Sequence, residues 1–504
     1  MTVEVIQNIF NPAALLLIVF GVSLGILFGA IPGLSSTTGV ALLLPFTYTM
    51  DTIPALLLML SVYFGGMSGG LIPAILLRIP GTPASVATTF DGYPMSQQGR
   101  SSKALGTGIS ASLFGGIFSA LALILFSPLL SRFALSFGPF EYFGITFFAL
   151  MVVSSIMEGK MLKGFASLSI GLLMACIGTS PIDGVKRFQM GAAVMSGGFQ
   201  LMSLVIGVFA VAEMFNSVKM VGNGTIRISA EEVQKKDFFL TWQEWRHNLG
   251  GMLRSSIIGT VAGILPGLGG AAGSMISYVQ AKKMSKRPEE FGKGCMEGVI
   301  ASEAANNAVT GGALIPLLSL GVPGDAATAL LMGALTVQGI QIGPGLFNTN
   351  STFVSTALSA SLLINIVLFL VAVVALKLFI NIIKIPKYYL IPIIIVFCVI
   401  GCYTVNSRMF DVYVMFVFGY IGYILDKNGY SLTALILGFI LGTTSEQYLR
   451  RALIYYGSFG KAMQGSKFGA IFVVLGIVYP IGSLVHQKLQ QKDAIRKQKE
   501  MEAQ

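Results

Sequence analysis

The chain has 504 residues, of which 54% are hydrophobic and 11% are charged, and its mean hydropathy is +0.77. Because a soluble domain carries charge on about a quarter of its residues, this composition excludes an ordinary water-soluble protein and predicts an integral membrane protein. The net charge of +11 comes from short basic clusters between apolar segments, which favours a membrane topology signal over a nucleic-acid-binding face. We therefore expect the lipid bilayer, and no nucleic acid, among its partners.

The first apolar region, residues 12–50, is interrupted by Pro32-Gly33. Each arm is expected to be short of the about 20 residues that a helix needs to cross a bilayer, so the sequence predicts a helical hairpin that enters and leaves on one side. No Lys or Arg flanks this hairpin, which places both of its ends outside the cell. The preceding segment MTVEVIQN lacks the basic residues of a cleaved signal peptide, so the hairpin is expected in the mature protein.

A second hairpin is predicted over residues 250–280, where Pro266-Gly267 breaks the apolar run between two basic loops that we expect in the cytoplasm. The two hairpins then enter from opposite faces. The polar, basic C-terminus is predicted to be cytoplasmic. Apolar segments that predict membrane-spanning helices lie near 104–128, 140–157, 194–215, 353–376, 388–405, 408–425 and 466–487, with weaker ones near 55–77, 164–180, 296–320 and 431–446.

An internal repeat relates the two hairpins. GILFGAIPGLSSTTG (25–39) matches GTVAGILPGLGGAAG (259–273) at glycine, proline and leucine positions. The blocks 69–81 and 312–324 follow, each with two prolines seven residues apart. Repeated blocks in halves of opposite predicted orientation are typical of inverted-topology transporters, although glycine-rich helices also match by chance. The predicted fold class is an all-α integral membrane protein of about 10–12 transmembrane helices plus re-entrant hairpins, in two inverted repeats.

The repeat and the charge pattern predict the domain boundaries. We expect a first membrane repeat at 1–215 with a motif block at 61–99, a cytoplasmic linker at 216–249, a second membrane repeat at 250–446 with a motif block at 303–345, a last loop and transmembrane helix at 447–487, and a basic cytoplasmic tail at 488–504.

A helix broken within the membrane exposes N–H groups that bind anions and carbonyl groups that bind cations. Four hydroxyl residues follow the first break, whereas the second break carries glycines and offers mainly backbone N–H groups. The hydroxyls alternatively bond back to their own helix. The predicted substrate-binding residues are Pro32, Gly33, Ser35, Ser36, Thr37, Thr38, Gly81, Thr82, Pro266, Gly267, Gly269, Gly270 and Gly324.

Carboxylates and amides inside a membrane are costly, which favours a functional role over a structural one. The predicted ion-coupling residues are Glu303, Asn306, Asn307 and Asp325, with Na⁺ placed at Ser36 and Asn307. Structural hydrogen bonds between helices are the alternative. Arg78 either pairs with a substrate carboxylate or extends to the membrane interface. We predict no catalytic residue and no cofactor, and the presence of only two histidines disfavours a histidine-based metal site.

The motifs GAIPGLSSTTGVALLLPFT, GGLIPAILLRIPGTPASVATTFDGYP, GILPGLGG, EAANNA and LGVPGDAATALLMGAL resemble the large membrane subunit of the tripartite tricarboxylate transporters, the TctA family. The resemblance spans nearly the whole chain. It implies a bacterial inner-membrane permease whose partners are a small four-helix membrane subunit and an extracytoplasmic solute-binding protein. It also implies uptake of citrate-like tri- or dicarboxylates, driven by Na⁺ or H⁺.

By analogy with other transporters that contain paired hairpins, the expected mechanism is alternating access with moving hairpin tips. Two other classes stay open from the residues alone. Val322-Pro-Gly-Asp325 faintly resembles a motif of intramembrane aspartyl proteases, but a glycine and a partner aspartate are missing. An anion channel is the second alternative, and a dependence of uptake on a binding protein and an ion gradient distinguishes it from a transporter.

Overall fold

The structure, a computed structural model, describes residues 3–31, 33–155, 161–180, 182–218, 238–382 and 387–502. Within these ranges the chain is almost entirely helical, and one antiparallel pair of two-residue strands, β1 (Gly178–Thr179) and β2 (Lys186–Arg187), interrupts it. The helices are α1 (Val3–Phe10), α2 (Pro12–Ala30), α3 (Ser36–Thr47), α4 (Thr52–Gly69), α5 (Leu71–Leu77), α6 (Thr88–Gln97), α7 (Ser101–Ala134), α8 (Pro139–Ser155), α9 (Met161–Ala175), α10 (Leu201–Val205), α11 (Ala212–Val218), α12 (Trp242–Ile264), α13 (Gly269–Met284), α14 (Met296–Leu320), α15 (Ala326–Val337), α16 (Leu346–Thr349), α17 (Ser351–Val374), α18 (Leu376–Ile382), α19 (Lys387–Asn406), α20 (Met409–Lys427), α21 (Leu432–Tyr456), α22 (Phe459–Gly465) and α23 (Lys467–Glu502).

Membrane-length helices confirm the predicted all-α integral membrane fold. In the described ranges, six helical segments are long and apolar enough to cross a membrane: Pro12–Ala30, Thr52–Leu77, Ser101–Ala134, Ser351–Val374, Met409–Lys427 and Lys467–Leu484. Six shorter apolar helices of 10–17 residues accompany them. One expectation was wrong: α2 has 19 residues and is long enough to span the bilayer, because its apolar run continues unbroken to Ala30, whereas α3 has 12 residues.

The chain divides into two compact units. Met1–Leu135 with Leu201–Tyr423 forms the first, and Ser136–Gln200 with Ile424–Gln504 forms the second. Both predicted hairpins and both motif blocks belong to the first unit. The predicted repeat, linker and tail boundaries stay predictions, and residues 219–237 of the predicted linker lie outside the described residues.

The first unit contains the same order of helices twice. In the first half α2 and α3 flank the glycine-proline break, followed by α4 with α5, then α6 and α7. In the second half α12 and α13 flank the break, followed by α14, then α15 and α17. Local sequence sets where each hairpin begins: Asn11 accepts a hydrogen bond from the Ala14 N–H at 2.7 Å before Pro12, and Thr241 forms a capping box with Glu244.

Glycines bring the first hairpin arm of each half against the next long helix. A Cβ atom on Gly25 would lie 2.9 Å from the Cα of Gly65, and one on Gly259 would lie 2.7 Å from the Cα of Ala305. Side chains do not fit at such separations, so α2 packs on α4, and α12 on α14, with backbones in close approach. Close packing through small residues is a main source of helix association in membranes.

The two halves contact each other reciprocally. Helix α7 of the first half packs on α12 and α14, and α17 of the second half packs on α2 and α4. The second hairpin arm α13 contacts the Pro83–Ser85 turn of the first half, while α3 contacts α15 of the second half. Each hairpin therefore lies against the motif blocks of both halves. The opposite orientation of the halves in the membrane stays a prediction.

The second unit is a helical group in which α21 packs on α8 and α9, and α23 packs on α8. Ion pairs connect its strand pair to α21: Arg187 binds Glu446 through two hydrogen bonds of 2.9 Å, and Arg450 contacts Asp183 at 2.7 Å. The nearby Ser180 hydroxyl and the hydrogen bond from Arg450 hold the pKa of Asp183 well below its usual range. These charges fix the loop between α9 and β2 to α21.

Candidate functional site

The first hairpin tip is organised by helix capping. Gly33 adopts a φ of 93°, in the left-handed region that favours glycine, and reverses the chain between α2 and α3. Ser35 is the N-cap of α3: its Oγ accepts a hydrogen bond from the Thr38 N–H at 3.2 Å and lies 3.2 Å from Thr38 Oγ1. Two of the four predicted hydroxyl residues thus bond within their own helix. Pro32 lies outside the described residues.

The other two hydroxyl residues of this tip have different surroundings. Ser36 is buried, and its Oγ donates to the sulfur of Met67 at 3.5 Å. A Cβ on Gly66 would lie 2.6 Å from the Cα of Ser36, so the start of α3 touches the α4 backbone. Thr37 is partly exposed. The first tip therefore lies directly against α4 at Met67.

The second hairpin tip is joined to the motif block of its own half. Gly267 and Gly269 adopt φ angles of 85° and 58°, and Pro266 is buried beside them. The Gly267 N–H donates to the Gly324 carbonyl at 2.8 Å, which connects the α12–α13 break to the α14–α15 break. The backbone of this tip is therefore held by a neighbouring broken segment and not by side chains.

Gly81 and Gly324 occupy equivalent positions in the two motif blocks. A Cβ on Gly81 would lie 2.8 Å from the Cα of Gly70, and one on Gly324 would lie 2.7 Å from the Cα of Ala313. The nearest atom to each is a carbonyl oxygen in the hairpin of the same half, that of Gly29 or that of Gly263. Both positions therefore require glycine, because each motif block passes within contact distance of its hairpin.

The residue after each of these glycines differs between the halves. Asp325 is the N-cap of α15, and its Oδ1 accepts from the Thr328 N–H at 2.8 Å. Its other oxygen, Oδ2, accepts from the hydroxyl of Tyr63 at 2.7 Å, so the carboxylate bridges α15 and α4. Thr82, its counterpart, is buried, and its Oγ1 has no hydrogen-bond partner among the described residues.

Asn306 lies where the second tip meets α4. Its Nδ2 donates to the carbonyl of Met67 at 3.0 Å. Its Oδ1 is buried and has no hydrogen-bond partner in the described part of the chain. A Cβ on Gly270 would lie 2.6 Å from Met67 Cε and 2.9 Å from Asn306 Oδ1. Both hairpin tips thus contact Met67, and a free amide oxygen lies at the second one.

Glu303 and Asn307 belong to a buried polar network one helical turn away. Thr88 donates to Glu303 Oε1, and Ser112 donates to Glu303 Oε2 at 3.3 Å. Asn307 Nδ2 donates to Ser112 Oγ at 2.8 Å, while Asn307 Oδ1 accepts from Ser68. The nitrogen and the oxygen of the Asn307 side-chain amide therefore both have hydrogen-bond partners. The network connects α14 to α4, α6 and α7.

Asp91, a further carboxylate of the first motif block, is a structural clamp. Its Oδ1 accepts from the backbone N–H groups of Gly292, Gly294 and Cys295 at 2.8–2.9 Å. Its Oδ2 accepts from the Tyr278 hydroxyl at 2.8 Å. Four donors fully satisfy this buried carboxylate, so it fixes the loop before α14 to α6.

Cations are not paired with the carboxylates of this region. In the described ranges Asp91, Glu303 and Asp325 have no Lys or Arg within salt-bridge distance. Arg78, predicted to bind a substrate carboxylate or to extend to the interface, is exposed, with its guanidinium 5.9 Å from the ring of Tyr93. The carboxylates and amide oxygens of this region suit the binding of a cation. The groups here that suit the binding of an anion are backbone N–H groups and hydroxyls.

The structure brings together most of the predicted site residues and adds four that the sequence prediction missed. Tyr63, Met67 and Ser68 all lie on α4, and Ser112 lies on α7. Tyr63 carried a detectable signal, because a tyrosine within an apolar span needs a hydrogen-bond partner for its hydroxyl. Met67, Ser68 and Ser112 carried none, since small polar residues and methionine are common in membrane helices. The binding and coupling roles of the predicted residues stay predictions.

Comparison with known proteins gives a consistent result. The model of the tripartite tricarboxylate transporter TctA family matches residues 15–437. An Agrobacterium vitis protein described as an uncharacterized 52.8 kDa protein in the TAR-I ttuC' 3' region is 33% identical over 489 residues, which cover 97% of both chains. A second protein of that organism, described as uncharacterized in the TAR-II ttuC' 3' region, is 35% identical over 237 residues, 47% of this chain and 98% of its own length. No solved structure matches the chain significantly.

Proposed function

The chain belongs to the tripartite tricarboxylate transporter TctA family, and we propose that it is the permease subunit that imports citrate-like tri- or dicarboxylates by cation symport. Family membership makes it a multi-pass membrane subunit of a tricarboxylate transporter that acts with partner subunits and a binding protein. The observation that carries the proposal is the meeting of two broken hairpins at Met67, beside the unpartnered oxygen of Asn306.

In this proposal the carboxylate binds to donors at the hairpin tips. Backbone N–H groups at the starts of α3 and α13 lack partners within their helices, and the helix dipoles favour negative charge there. Ser36 and Thr37 add hydroxyl donors at the first tip. Because Glu303 and Asp325 have no Lys or Arg partner within the described ranges, the substrate charge in this proposal is neutralised partly by these dipoles and partly by a cation bound nearby.

The coupling cation in this proposal binds at the second tip. Na⁺ requires oxygen ligands, and Asn306 Oδ1 is a buried oxygen that lacks a hydrogen-bond donor among the described residues. Asp325 supplies a carboxylate close to Gly269, where a Cβ would lie 3.9 Å from Asp325 Cβ. Asn307, at which Na⁺ was predicted together with Ser36, already accepts a hydrogen bond from Ser68, so Asn306 is the better ligand. H⁺ is the alternative coupling ion.

Alternating access then follows from movement of the tips. The second tip is held by the backbone hydrogen bond from Gly267 to Gly324, by the hydrogen bond from the Ser274 hydroxyl to the Ala84 carbonyl, and by the packing of Gly270 on Met67. The first tip contacts Met67 through Ser36. In this proposal a displacement of either tip breaks these contacts. The predicted partners, a small four-helix membrane subunit and an extracytoplasmic solute-binding protein, and the location in a bacterial inner membrane with a cytoplasmic C-terminus, complete the proposal.

Uptake of labelled citrate and other carboxylates into membrane vesicles tests this function. The vesicles contain the chain with the products of its neighbouring genes, and the binding protein is added or omitted under an imposed Na⁺ gradient, a pH gradient or neither. We expect saturable uptake that requires the binding protein and one cation gradient. Asn306→Ala is expected to raise the cation concentration for half-maximal uptake roughly tenfold, a loss of about 1.4 kcal/mol in cation binding.

Asn365→Ala is the matched control, because Asn365 is also a buried amide on a membrane helix, with its Nδ2 bonded to the Ser361 carbonyl. This control is expected to leave the cation dependence unchanged. Uptake that needs neither binding protein nor gradient would overturn the proposal in favour of an anion channel. An equal shift in cation dependence for both variants would show that Asn306 is not a ligand of the coupling ion.

A further inference from the structure

An open pocket lies at the ends of the second hairpin arms, away from their tip. Residues of α12, of the end of α13 and of the start of α14 line a pocket of about 290 Å³ that opens to solvent. Arg254, on α12, precedes the end of that helix by ten residues, which is about 15 Å along the helix axis. The pocket is therefore distinct from the site at Met67 and Asn306.

Basic side chains dominate the pocket. Arg254, Lys286, Arg287 and His247 line it, together with one carboxylate, Glu297. Arg287 already pairs with Glu290 at 2.9 Å. Within the described ranges, Arg254 and Lys286 have no carboxylate within 4.0 Å. Among the described residues, two cations without an ion-pair partner therefore lie at one concave surface and outnumber its one unpaired carboxylate, Glu297, so the pocket attracts an anion.

A buried hydroxyl in the same wall lacks a partner. Ser255 lines the pocket, is 1% exposed, and its Oγ makes no hydrogen bond in the described part of the chain. The adjacent Ser256 differs, because its Oγ donates to the Met252 carbonyl at 2.8 Å, the usual arrangement for a serine within a helix. A buried hydroxyl without a partner is costly, so a ligand that accepts its proton is favoured.

We propose that this pocket binds a phosphate group, with Arg254 and Lys286 as its cationic ligands and Ser255 as a hydroxyl donor. A guanidinium, an ammonium and a hydroxyl suit the several oxygens of a phosphate. The phosphate belongs either to an anionic lipid head group at the basic membrane face or to a free phosphate ion. Bound there, it holds α12 to the segment that connects α13 with α14.

Two arms of one experiment distinguish the sources, using the purified full-length chain. In the first arm, inorganic phosphate is titrated against the protein in neutral detergent by calorimetry. In the second arm, the protein is placed in nanodiscs of phosphatidylglycerol or phosphatidylcholine, and retained phospholipid is counted by native mass spectrometry. Binding in the first arm assigns free phosphate, and preferential retention of phosphatidylglycerol in the second assigns a lipid head group. Binding in neither arm overturns the proposal, as does citrate binding in place of phosphate.

Charge-matched variants locate the site. Arg254→Gln with Lys286→Gln removes two cations from the pocket, whereas Lys282→Gln with Lys283→Gln removes two from the exposed end of α13, outside the pocket lining. We expect the first pair to weaken binding at least tenfold and the second to change it less than twofold, about 0.4 kcal/mol. Equal losses in both pairs would contradict the assignment.

Ser255→Ala tests the hydroxyl separately. If Ser255 donates to the ligand, this variant weakens phosphate binding severalfold while the unliganded protein becomes no less stable, since a buried hydroxyl without a partner is removed. Unchanged binding would exclude Ser255 as a ligand. If the double variant does not fold, Lys286→Gln alone tests the site, because Lys286 is exposed and its substitution is expected to leave the fold intact. All of these readouts are independent of transport, so their failure is distinct from failure of the proposed function.

Discussion

Removing the hydroxyl of Tyr63 tests the bridge between α4 and α15. Tyr63→Phe deletes one hydrogen bond, 2.7 Å long, to a carboxylate, and leaves the ring beside Phe64 in place. A hydrogen bond to a charged group contributes about 1.5–3 kcal/mol in soluble proteins. Bonds between membrane helices average about 0.6 kcal/mol and reach about 1.7 kcal/mol. Because this one is short and partly buried, we expect a loss of about 1–2 kcal/mol in the free energy of unfolding.

A double-mutant cycle isolates that energy. Tyr63→Phe, Asp325→Asn and the double variant are unfolded by denaturant in detergent micelles and assayed for carboxylate uptake. The asparagine retains an oxygen that caps α15, so the cycle reports mainly the contact with Tyr63. The double variant is expected to be less destabilised than the sum of the single variants, by about 1–2 kcal/mol. Tyr413→Phe, at a 63% exposed tyrosine of α20, is the control and is expected to be neutral.

Additive effects of the two substitutions would refute this reasoning. Additivity means that the hydroxyl and the carboxylate do not stabilise one another, so that α4 and α15 are joined by packing alone. A cycle with the expected coupling energy but unchanged uptake would restrict the bridge to a structural role. The two measurements therefore separate stability from transport.

Gly259→Ala is expected to lower the free energy of unfolding by about 1–3 kcal/mol, because its Cβ would overlap the α14 backbone. Gly250→Ala on the same helix is the control: its Cβ would meet nothing within 4 Å, so it is expected to be neutral or stabilising. Thermal unfolding of the two variants compares their stabilities. Asp91→Ala leaves three backbone donors unpaired and is expected to cost about 3 kcal/mol or more, measured by denaturant unfolding. Burial raises the pKa of Glu244, but hydrogen bonds from Lys103 and from its helix cap outweigh burial and hold the pKa below its ordinary value. The resulting stabilisation is complete above the unfolded pKa of about 4.3 and is lost as the pH falls through the lower folded pKa. Glu244→Gln is therefore expected to reduce the decrease in melting temperature that the protein shows between about pH 6 and pH 3.5.

The broken helices were predictable from sequence because proline and glycine act locally. A Pro-Gly pair ends a helix whatever surrounds it, and its repetition at 29–34 and 263–268 indicated two related halves. The length of the first arm was misjudged, because α2 keeps its apolar run to Ala30 and is long and apolar enough to cross a membrane. The family resemblance followed from the same motifs and is confirmed by the match over residues 15–437.

Contacts between the halves were not predictable, because they join residues far apart in the chain. Asn306 and Asn307 are neighbours in sequence, and the prediction placed Na⁺ at Asn307; yet Asn307 is bonded at both ends of its amide, while the Asn306 Oδ1 has no hydrogen-bond partner among the described residues. The difference arises from α4 and α7, which present Met67 to one residue and Ser112 to the other. Helical periodicity places a side chain on a face, but the partner on that face comes from tertiary packing.

The polar network at Glu303 and Asn307 also constrains biosynthesis. Ser68 meets Asn307 across 239 residues of chain, and Thr88 meets Glu303 across 215. At an elongation rate of about 5–20 residues per second, synthesis of α14 follows that of Ser68 and Thr88 by about 10–50 s. During that interval the buried hydroxyls of Ser68 and Thr88 lack their partners on α14, so the native packing of the first half forms only after α14 has been made.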